Sequence, residues 1–294
     1  MEKQGSILVL AAGSLGDCIL TLPALQALQT RFPVTVAGTS PYTSLGAGLL
    51  GIEKTTNLDP LLQGILSDSS AVAEVLEPFR EVFVFFKEPD PALGQKLSRF
   101  GKNIHWPDKP FADFLKEGHW AGEYWLRMVL SGGSANSSLF RQNRLQFSPE
   151  SLDRGARILK SLQLDSPFVI HPGSGSPRKN APLSFFRKAA EKAASEAGKQ
   201  VLVLWGEAEQ GHLAEIQKNF SGLEKVGVLP EVLPLMDLAA VLRQSRGYLG
   251  NDSGVTHLAS ACGIRTFAVF QETDSRIWGP QEGIILESLR TVYS

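Results

Sequence analysis

The sequence predicts an α/β protein built from two Rossmann-like domains, each with a doubly wound parallel sheet. Short, continuous apolar runs recur along the chain, and each is followed by a polar or glycine-rich turn and then a helical pattern. A run of helix breakers at 131–138 interrupts this alternation near the middle. The length of 294 residues suits two ordinary domains better than one large one. We therefore expect domains at 1–147 and 148–294.

In the first domain, a buried strand is expected at 7–10, followed by a turn at 11–17. A helix then carries Leu15, Ile19, Leu22 and Leu25 at helical spacing, and Pro23 either kinks it or resets its start. Further strands are predicted at 34–37, 82–86 and, more weakly, 103–106. Helices are expected between and after them, the last over 111–130.

The second domain repeats the alternation. Strands are predicted at 168–171, 201–205, 226–229 and 266–270, with a further short strand starting near Tyr248, and helices at 184–197, 237–245 and 255–262. A long Gly/Ser/Pro loop at 172–182 follows the first of these strands. Gly263 is a favourable residue just past the end of the last helix. Ligands bind at the carboxyl ends of such sheets, so the polar turns predict a single site between the domains.

The composition excludes several classes of protein. Hydrophobic residues make up 43 % and charged residues 20 %, which is typical of a packed globular chain. A net charge of −1 gives no electrostatic argument for a nucleic-acid partner. Cys18 and Cys262 lie far apart in apolar helical patterns, so we expect two buried thiols in a reduced compartment, not a disulfide or a metal pair.

The sequence also bears on membrane insertion and targeting. No run approaches eighteen uninterrupted apolar residues, so no membrane span is predicted. The first five residues lead directly into a strand and leave no room for a signal peptide. We expect a cytoplasmic protein, with peripheral contact at the inner face of the inner membrane left open.

Known nucleotide and catalytic motifs are missing. The loop after the first strand lacks G-x-G-x-x-G, and no acidic residue ends the second strand, which argues against a dinucleotide oxidoreductase. Neither a P-loop nor a G-x-S-x-G elbow occurs. The five histidines show no zinc spacing. The sequence therefore predicts neither a metal site nor a bound cofactor.

The most informative stretch is 248–259, which combines a strand, a polar turn and a helix. Asp252 or Ser253 can cap the helix, and its first free N–H groups then suit a phosphate. Gly254 and His257 add a close-approach point and an imidazole, as a phosphorylated, hydroxyl-rich ligand would need. The alternative is an ordinary capped turn with an incidental histidine.

Two charged side chains in other strand-end loops are candidates for chemistry. Asp17 lies in the first turn after the first strand, where a carboxylate could accept a proton from an attacking sugar hydroxyl. Its alternative is a carboxylate favoured by the helix dipole. Lys179 lies in the Gly/Ser loop and could offset charge on a diphosphate leaving group, or it could simply be solvated.

Together these segments resemble the bacterial heptosyltransferases of glycosyltransferase family 9, which transfer heptose from ADP-heptose to the lipopolysaccharide core. The resemblance covers most of the chain, and its specificity lies in the order and separation of several short motifs. These are Ser-Leu-Gly-Asp at 14–17 with Thr-Leu-Pro-Ala-Leu at 21–25, His-Pro-Gly-Ser at 171–174, Gly-Asn-Asp-Ser-Gly at 250–254 with His-Leu-Ala at 257–259, Thr-Asp at 273–274 and Trp-Gly-Pro at 278–280.

The resemblance implies a GT-B architecture, with acceptor binding by the first domain and nucleotide-sugar binding by the second across a cleft. It implies inverting, metal-independent transfer with Asp17 as general base, in a cleft loop that includes Ser14 and Gly16. In the implied donor site, Glu209 faces the ribose, Leu233 lies against the base, and Lys179 and Asp252 hold the sugar and diphosphate. The implied donor-binding residues are Ser174, Lys179, Glu209, Leu233, Asp252, Ser253, Gly254 and His257. The implied partners are ADP-heptose and a lipid-linked or core-oligosaccharide acceptor.

Three positions depart from the family pattern. Ala11-Ala12 replace a basic residue before the Ser-Leu-Gly-Asp turn, Ala181 replaces a tryptophan, and Gln271-Glu272 replace Gly-Pro. A diphosphate would tolerate Glu272 only if its carboxylate points away. A C-terminal helix that crosses back to the first domain is expected to be short or absent. Two alternatives therefore remain: an enzyme that uses another nucleotide sugar, and a non-catalytic nucleotide-sugar-binding homologue.

Overall fold

The computed structural model describes residues 6–67, 69–88, 90–130, 144–195 and 200–287. The chain divides into two compact units, Met1–Gln146 and Phe147–Ser294. The breaker run at 131–138 and the expected C-terminal crossover segment lie outside the described residues. The assignment of acceptor and donor binding to the two units stays a prediction.

The first unit contains a five-stranded parallel sheet in the order β3-β2-β1-β4-β5. Its strands are β1 (Ser6–Ala11), β2 (Val34–Gly38), β3 (Lys54–Asn57), β4 (Phe79–Phe85) and β5 (Asn103–His105). On β1, Leu8 and Leu10 join a core cluster with residues of the later helices, while Ile7 and Val9 are equally buried. Alternate side chains point to opposite faces, so β1 is buried on both sides, as its apolar run predicts.

The described part of the first unit contains eight α-helices, of which six connect these strands and two follow β5. They are α1 (Leu15–Leu20), α2 (Leu22–Gln29), α3 (Ser40–Leu45), α4 (Leu58–Leu66), α5 (Ser70–Leu76), α6 (Pro91–Arg99), α7 (Phe111–Lys116) and α8 (Glu123–Val129). Pro23 resets the helix start, because the helix is interrupted at Thr21 and Pro23 lies in the first turn of α2. The single helix expected over 111–130 is wrong: α7 ends before Gly118, whose φ of 76° favours glycine, and α8 begins at Glu123.

The second unit contains a six-stranded parallel sheet in the order β11-β10-β9-β6-β7-β8. Its strands are β6 (Phe168–His171), β7 (Val201–Val203), β8 (Val226–Val228), β9 (Gly247–Asn251), β10 (Thr266–Phe270) and β11 (Ile284–Glu287). Its helices are α9 (Pro149–Ser161), α10 (Leu183–Ser195), α11 (Leu213–Phe220), α12 (Leu235–Arg243), α13 (Gly254–Ala261) and α14 (Ser275–Trp278). The predicted α/β class with doubly wound parallel sheets is confirmed in both units.

Both cysteines are free and buried, Cys18 in the first unit and Cys262 in the second. Burial raises the pKa of both thiols well above the usual range. The longest helices of the described ranges, α9 and α10, have 13 residues each. None of the described helices is long and apolar enough to cross a bilayer, which needs about 20 residues.

Candidate active site

Each sheet has one point at which the strand order reverses. It lies between β1 and β4 in the first unit and between β6 and β9 in the second. The loops that leave two such neighbouring strands diverge and open a crevice at the carboxyl ends, where ligands of open α/β sheets bind. Asp17, Lys179 and Asp252 follow these strands, whereas Glu209 follows β7 and Leu233 follows β8.

In the first unit, Asp17 is held by the start of α1. Ser14 is the N-cap residue, and both its backbone N–H and its hydroxyl donate to Asp17 Oδ2 at 3.0 Å. Gly13 precedes the cap with a φ of 149°, and a Cβ there would lie 2.5 Å from Asp17 Cβ. Gly16 is the second residue of α1. The turn therefore fixes the carboxylate as soon as the strand ends.

A lysine from the neighbouring strand completes this group. Lys87 follows β4, and its Nζ lies 2.8 Å from Asp17 Oδ1. The Asp17 side chain is only 12 % exposed, whereas that of Lys87 is 41 % exposed. Ala11 pairs with Phe85 across the β1–β4 ladder, so the two strands end side by side. This register brings together two residues that are 70 positions apart in sequence.

In the second unit, Lys179 and Asp252 meet in the same way. Lys179 lies in the loop after β6 and Asp252 directly after β9, and Lys179 Nζ is 2.7 Å from Asp252 Oδ2. The Thr273 hydroxyl, from the loop after β10, donates to the same oxygen at 2.6 Å. The Asp252 side chain is 7 % exposed and that of Lys179 is 30 % exposed. One ammonium hydrogen thus binds the carboxylate, and two others remain for a ligand.

The loop that carries Lys179 is tied to the sheet by a buried amide. Asn251 ends β9 with no exposed surface; its Oδ1 accepts from Ala181 N at 2.9 Å, and its Nδ2 donates to Pro172 O at 2.7 Å. Ser174 Oγ lies 2.7 Å from Asn180 Oδ1. The predicted donor residue Ser174 is therefore engaged inside the loop, where it organises the backbone around Lys179.

The amino end of α13 stands beside this lysine. Ser253 is the N-cap, and its Oγ accepts from Thr256 N at 3.3 Å. Gly254 is the first helical residue, and His257 is buried one turn further on. Because the first N–H groups of a helix lack intrahelical acceptors, those of Gly254 and Val255 suit an anion at this end of the sheet.

Glu209 lies close to the end of β6. Its Oε2 accepts from Gly206 N at 2.8 Å and lies 3.3 Å from His171 Nε2. Burial raises the pKa of Glu209, but the hydrogen bond and charge of His171 and the Gly206 N–H outweigh it, so the net shift is downward. The buried Nδ1 of His171 has no hydrogen-bond partner within the described ranges. A Cβ on Gly173 would collide with the Glu209 carboxylate, so this glycine allows the close approach.

Leu233 and Glu272 are the remaining positions that the sequence singled out near the donor. Leu233 is half-buried in the loop between β8 and α12, and no described hydrogen bond or ion pair links it to Lys179 or Asp252. Glu272 Oε1 lies 3.5 Å from Arg178 Nε, so the carboxylate that replaces a Gly-Pro position has a cationic partner next to Lys179. Throughout the described segments, no three His, Cys, Asp or Glu side chains are grouped as a metal centre would require.

The comparison with protein families bears on the second unit. The model of "Glycosyltransferase family 9 (heptosyltransferase)" matches residues 141–285. The second unit belongs to glycosyltransferase family 9. The resemblance to heptosyltransferases found in the motifs is thereby confirmed, and residues 171–280 that carry most of those motifs lie inside the match.

A curated relative agrees with this family. Lipopolysaccharide heptosyltransferase 1 of Pseudomonas aeruginosa is 34 % identical over 101 residues, which are 34 % of this chain. The matched segment spans only 27 % of that relative's length.

Solved structures extend the likeness to the whole chain. A family 9 glycosyltransferase from Veillonella parvula has a TM-score of 0.77 at 18 % identity, over 99 % of this chain and 88 % of the other. ADP-heptose lipopolysaccharide heptosyltransferase II of E. coli has a TM-score of 0.75 at 15 % identity, over 96 % and 90 %. E. coli heptosyltransferase WaaC with ADP gives 0.67 at 16 % identity, over 96 % and 93 %. These matches confirm the GT-B fold class of two parallel-sheet α/β units.

Sequence reasoning missed three residues of these clusters as site residues. Thr273 was noted only as part of a motif, and Asn251 only as part of the Gly-Asn-Asp-Ser-Gly run. Lys87 was not singled out, although it directly follows a predicted strand. The signal for Lys87 is the strand order: in a doubly wound sheet the first and fourth strands are neighbours, so a charge after either strand belongs to one crevice.

Proposed function

We propose that this protein is an inverting, metal-independent glycosyltransferase that moves heptose from ADP-heptose to a lipopolysaccharide-core or lipid-linked acceptor. Asp17 is the general base, and the acceptor binds at the first unit. The donor binds at the second unit, at the crevice formed by the loops after β6, β9 and β10. Turnover therefore requires both units.

The chemistry is a single displacement. The acceptor hydroxyl oxygen forms a bond to the anomeric carbon from the face opposite the diphosphate, and its proton passes to the Asp17 carboxylate. The bond between the anomeric carbon and the diphosphate oxygen breaks, and its electron pair leaves with ADP. One base and one stabilised leaving group suffice, so the protein supplies no nucleophile.

The donor residues divide this work by their positions. Lys179 Nζ offsets the charge that develops on the diphosphate, and the amides at the start of α13 bind phosphate oxygens. Asp252 fixes Lys179 and accepts from a sugar hydroxyl through its second oxygen, Oδ1. Glu209 accepts from the ribose hydroxyls, and the half-buried Leu233 packs on the adenine. No cofactor takes part.

The observation that carries the proposal is the Lys179–Asp252 contact of 2.7 Å at the start of α13, within the segment that matches family 9. A cation with unused hydrogens beside free helix amides is an anion site. The buried carboxylate at the same place gives that site an acceptor for hydroxyl groups. A nucleotide sugar carries both features.

A second candidate is a nucleotide-sugar-binding homologue without turnover. The observation that favours it is the number of contacts that Asp17 makes within the first unit, two hydrogen bonds from Ser14 and an ion pair with Lys87. A carboxylate in such a network could serve the first unit structurally. A third candidate keeps the same site with a different nucleotide sugar, because Glu272 adds a negative charge near the donor.

Thermal-shift measurements with ADP, UDP, GDP and CMP sugars separate the donors. We expect the largest rise in melting temperature with ADP-heptose, and a smaller rise in a Lys179→Met variant. A shift with UDP or GDP sugars alone would contradict the heptose assignment.

Transfer to a heptose-deficient core oligosaccharide separates catalysis from binding. Asp17→Ala should abolish product formation while ADP-heptose binds with nearly unchanged affinity. A wild-type protein that binds the donor but yields no product with any lipopolysaccharide-core acceptor would favour the non-catalytic homologue. Localisation follows from the same proposal: the protein works in the cytoplasm, against the inner face of the inner membrane.

A further inference from the structure

We propose that Lys87 is a positioning residue for the general base, and that it selects Oδ1 of Asp17 as the atom that takes the acceptor's proton. This inference rests on the proposed function, because it assigns a role within the same displacement. Its basis is the way the Ser14 hydrogen bonds and the Lys87 ion pair divide between the two oxygens of Asp17.

The two oxygens of Asp17 are not equivalent. Oδ2 accepts twice, from the N–H and the hydroxyl of Ser14, each at 3.0 Å. A carboxylate oxygen has two lone-pair positions, so Oδ2 has no capacity for a substrate hydroxyl. Oδ1 forms an ion pair with Lys87 Nζ at 2.8 Å and accepts no described hydrogen bond, so it has a lone pair for a substrate hydroxyl. The acceptor hydroxyl can therefore approach only Oδ1, next to the Lys87 ammonium.

Lys87 itself is anchored. Its backbone carbonyl accepts from Phe111 N at 2.9 Å and from the Tyr124 hydroxyl at 3.3 Å. Its ammonium lies 5.4 Å from the centre of the Phe111 ring, over its face. The side chain thus reaches Asp17 from a fixed backbone and along an aromatic surface. A lysine held at both ends restrains the carboxylate, whereas a solvated lysine would not.

Positioning has a large expected effect on this reaction. A base must lie within hydrogen-bond reach of the proton that it removes, and a displacement of about 1 Å costs on the order of 100-fold in rate. Without Lys87, the carboxylate keeps only the Ser14 contacts on one oxygen and can turn about its Cβ–Cγ bond. The remaining lone pair of Oδ1 would then lose its fixed direction.

The test compares Lys87→Met with Lys102→Met, using ADP-heptose and a heptose-deficient core oligosaccharide. Lys102 is a matched control, because it directly precedes β5 and its Nζ donates to Phe79 O at 2.8 Å, at the end of β4 opposite to Lys87. We expect Lys87→Met to lower kcat by about 10- to 100-fold with less than about 3-fold change in the acceptor KM. Lys102→Met should retain wild-type kcat, and Lys87→Arg should recover part of the loss, because a guanidinium can also donate to Oδ1.

A double-variant cycle shows whether Lys87 acts through Asp17. Lys87→Met should cause no further loss in an Asp17→Asn background, since the atom that it positions is no longer a base. An additional loss of equal size in that background would overturn the inference. So would a Lys87→Met effect confined to the acceptor KM, which would make Lys87 a substrate-binding group. Wild-type kcat in Lys87→Met would overturn it as well.

Crystal structures of the same variants give a readout that needs no turnover. Asp17 should keep one orientation in the wild type and in Lys102→Met, and occupy more than one in Lys87→Met. An unchanged Asp17 in Lys87→Met overturns the inference. If Asp17 behaves as expected but wild type and Asp17→Asn transfer equally, the proposed function fails while the positioning contact stands.

Discussion

The two units carry the same ion pair at the same place in their sheets, with the partners exchanged. In the first unit the aspartate, Asp17, follows the first strand and the lysine, Lys87, follows the fourth. In the second unit the lysine, Lys179, follows the first strand and the aspartate, Asp252, follows the fourth. The distances are nearly equal, 2.8 and 2.7 Å. One topology thus presents the two charges in opposite order.

The surroundings of the two pairs differ, and the proposed function assigns a different role to each pair. Two hydrogen bonds from Ser14 reach one oxygen of Asp17 and the Lys87 ion pair reaches the other, so the carboxylate is the fixed member of that pair. At Asp252 two donors share Oδ2, and the adjoining helix end adds partial positive charge. The first pair therefore suits a proton acceptor and the second suits an anion. The chemistry is decided by the loop contacts and not by the strand order.

The largest effect is expected from Asp17→Asn. An amide cannot accept the acceptor's proton, so kcat should fall by about 1,000-fold or more, within the range of general base catalysis. The measurement is product formation from ADP-heptose, with donor affinity by calorimetry as its companion. Asp252→Asn should instead weaken donor binding. If both variants weakened donor binding to the same extent, the two ion pairs would have the same role, contrary to this comparison.

The next effect concerns the cation of the second pair. Lys179→Met should weaken ADP-heptose binding by about 10- to 100-fold, because a charged hydrogen bond of about 1.5–3 kcal/mol is lost. Titration calorimetry measures it, and Arg178→Met is the matched control, since the Arg178 side chain is 81 % exposed and pairs with Glu272. Equal losses in the two variants would mean that general positive charge, and not Lys179, holds the diphosphate.

A smaller effect sharpens the role of the loop. Asn251→Ala removes a buried amide that bonds Ala181 N and Pro172 O, so the free energy of unfolding should fall by about 1–3 kcal/mol. Urea denaturation measures the stability, and donor affinity should fall with it because the Lys179 loop loses its tether. A variant that is less stable but binds the donor with unchanged affinity would show that tethering the loop does not contribute to donor binding. The exposed Asn57, a helix cap in the first unit, provides a control for general destabilisation.

The smallest effect is a dependence of stability on pH at Glu209. Its pKa is lowered in the folded protein, so the ionised carboxylate contributes to the free energy of unfolding above the ordinary pKa of 4.5. This contribution is lost as the pH falls through the pKa of the folded state. Glu209→Gln should therefore melt about 2–4 °C below the wild type at pH 7, with a smaller gap at pH 3. Scanning calorimetry checks this, with the neighbour Glu207→Gln as control. A gap that widens in acid would contradict the assigned direction.

The sequence predicted the central strands because they are buried on both faces. The run at 7–10 and that at 201–203 are apolar throughout, and both form strands. The edge strand β3 was missed for the corresponding reason, whereas β11 was missed although three of its four residues are apolar. The residues of β3 are Lys-Thr-Thr-Asn and are mostly exposed, so one-sided pairing to β2 leaves no apolar signal. Turn chemistry also corrected a boundary, at Gly118 between α7 and α8.

The candidate site could be predicted where it is local in sequence. Asp17 with Ser14, and Asp252 with Ser253, lie within a few positions and follow from capping rules. The partners that cross between strands could not be obtained that way, since Lys87 and Thr273 reach their aspartates only through strand register. The predicted roles and ligand contacts of all the site residues stay predictions.

The distribution of the two thiols has a practical consequence. Each unit holds a single buried cysteine, Cys18 beside the proposed base and Cys262 at the end of α13. A folded unit shields its thiol from a maleimide or a disulfide reagent, whereas an opened unit exposes it. The rate at which each thiol is labelled therefore reports how often its own unit opens. Peptide mapping of the labelled protein would measure the two labelling rates separately. ADP-heptose should slow labelling in the unit that binds it.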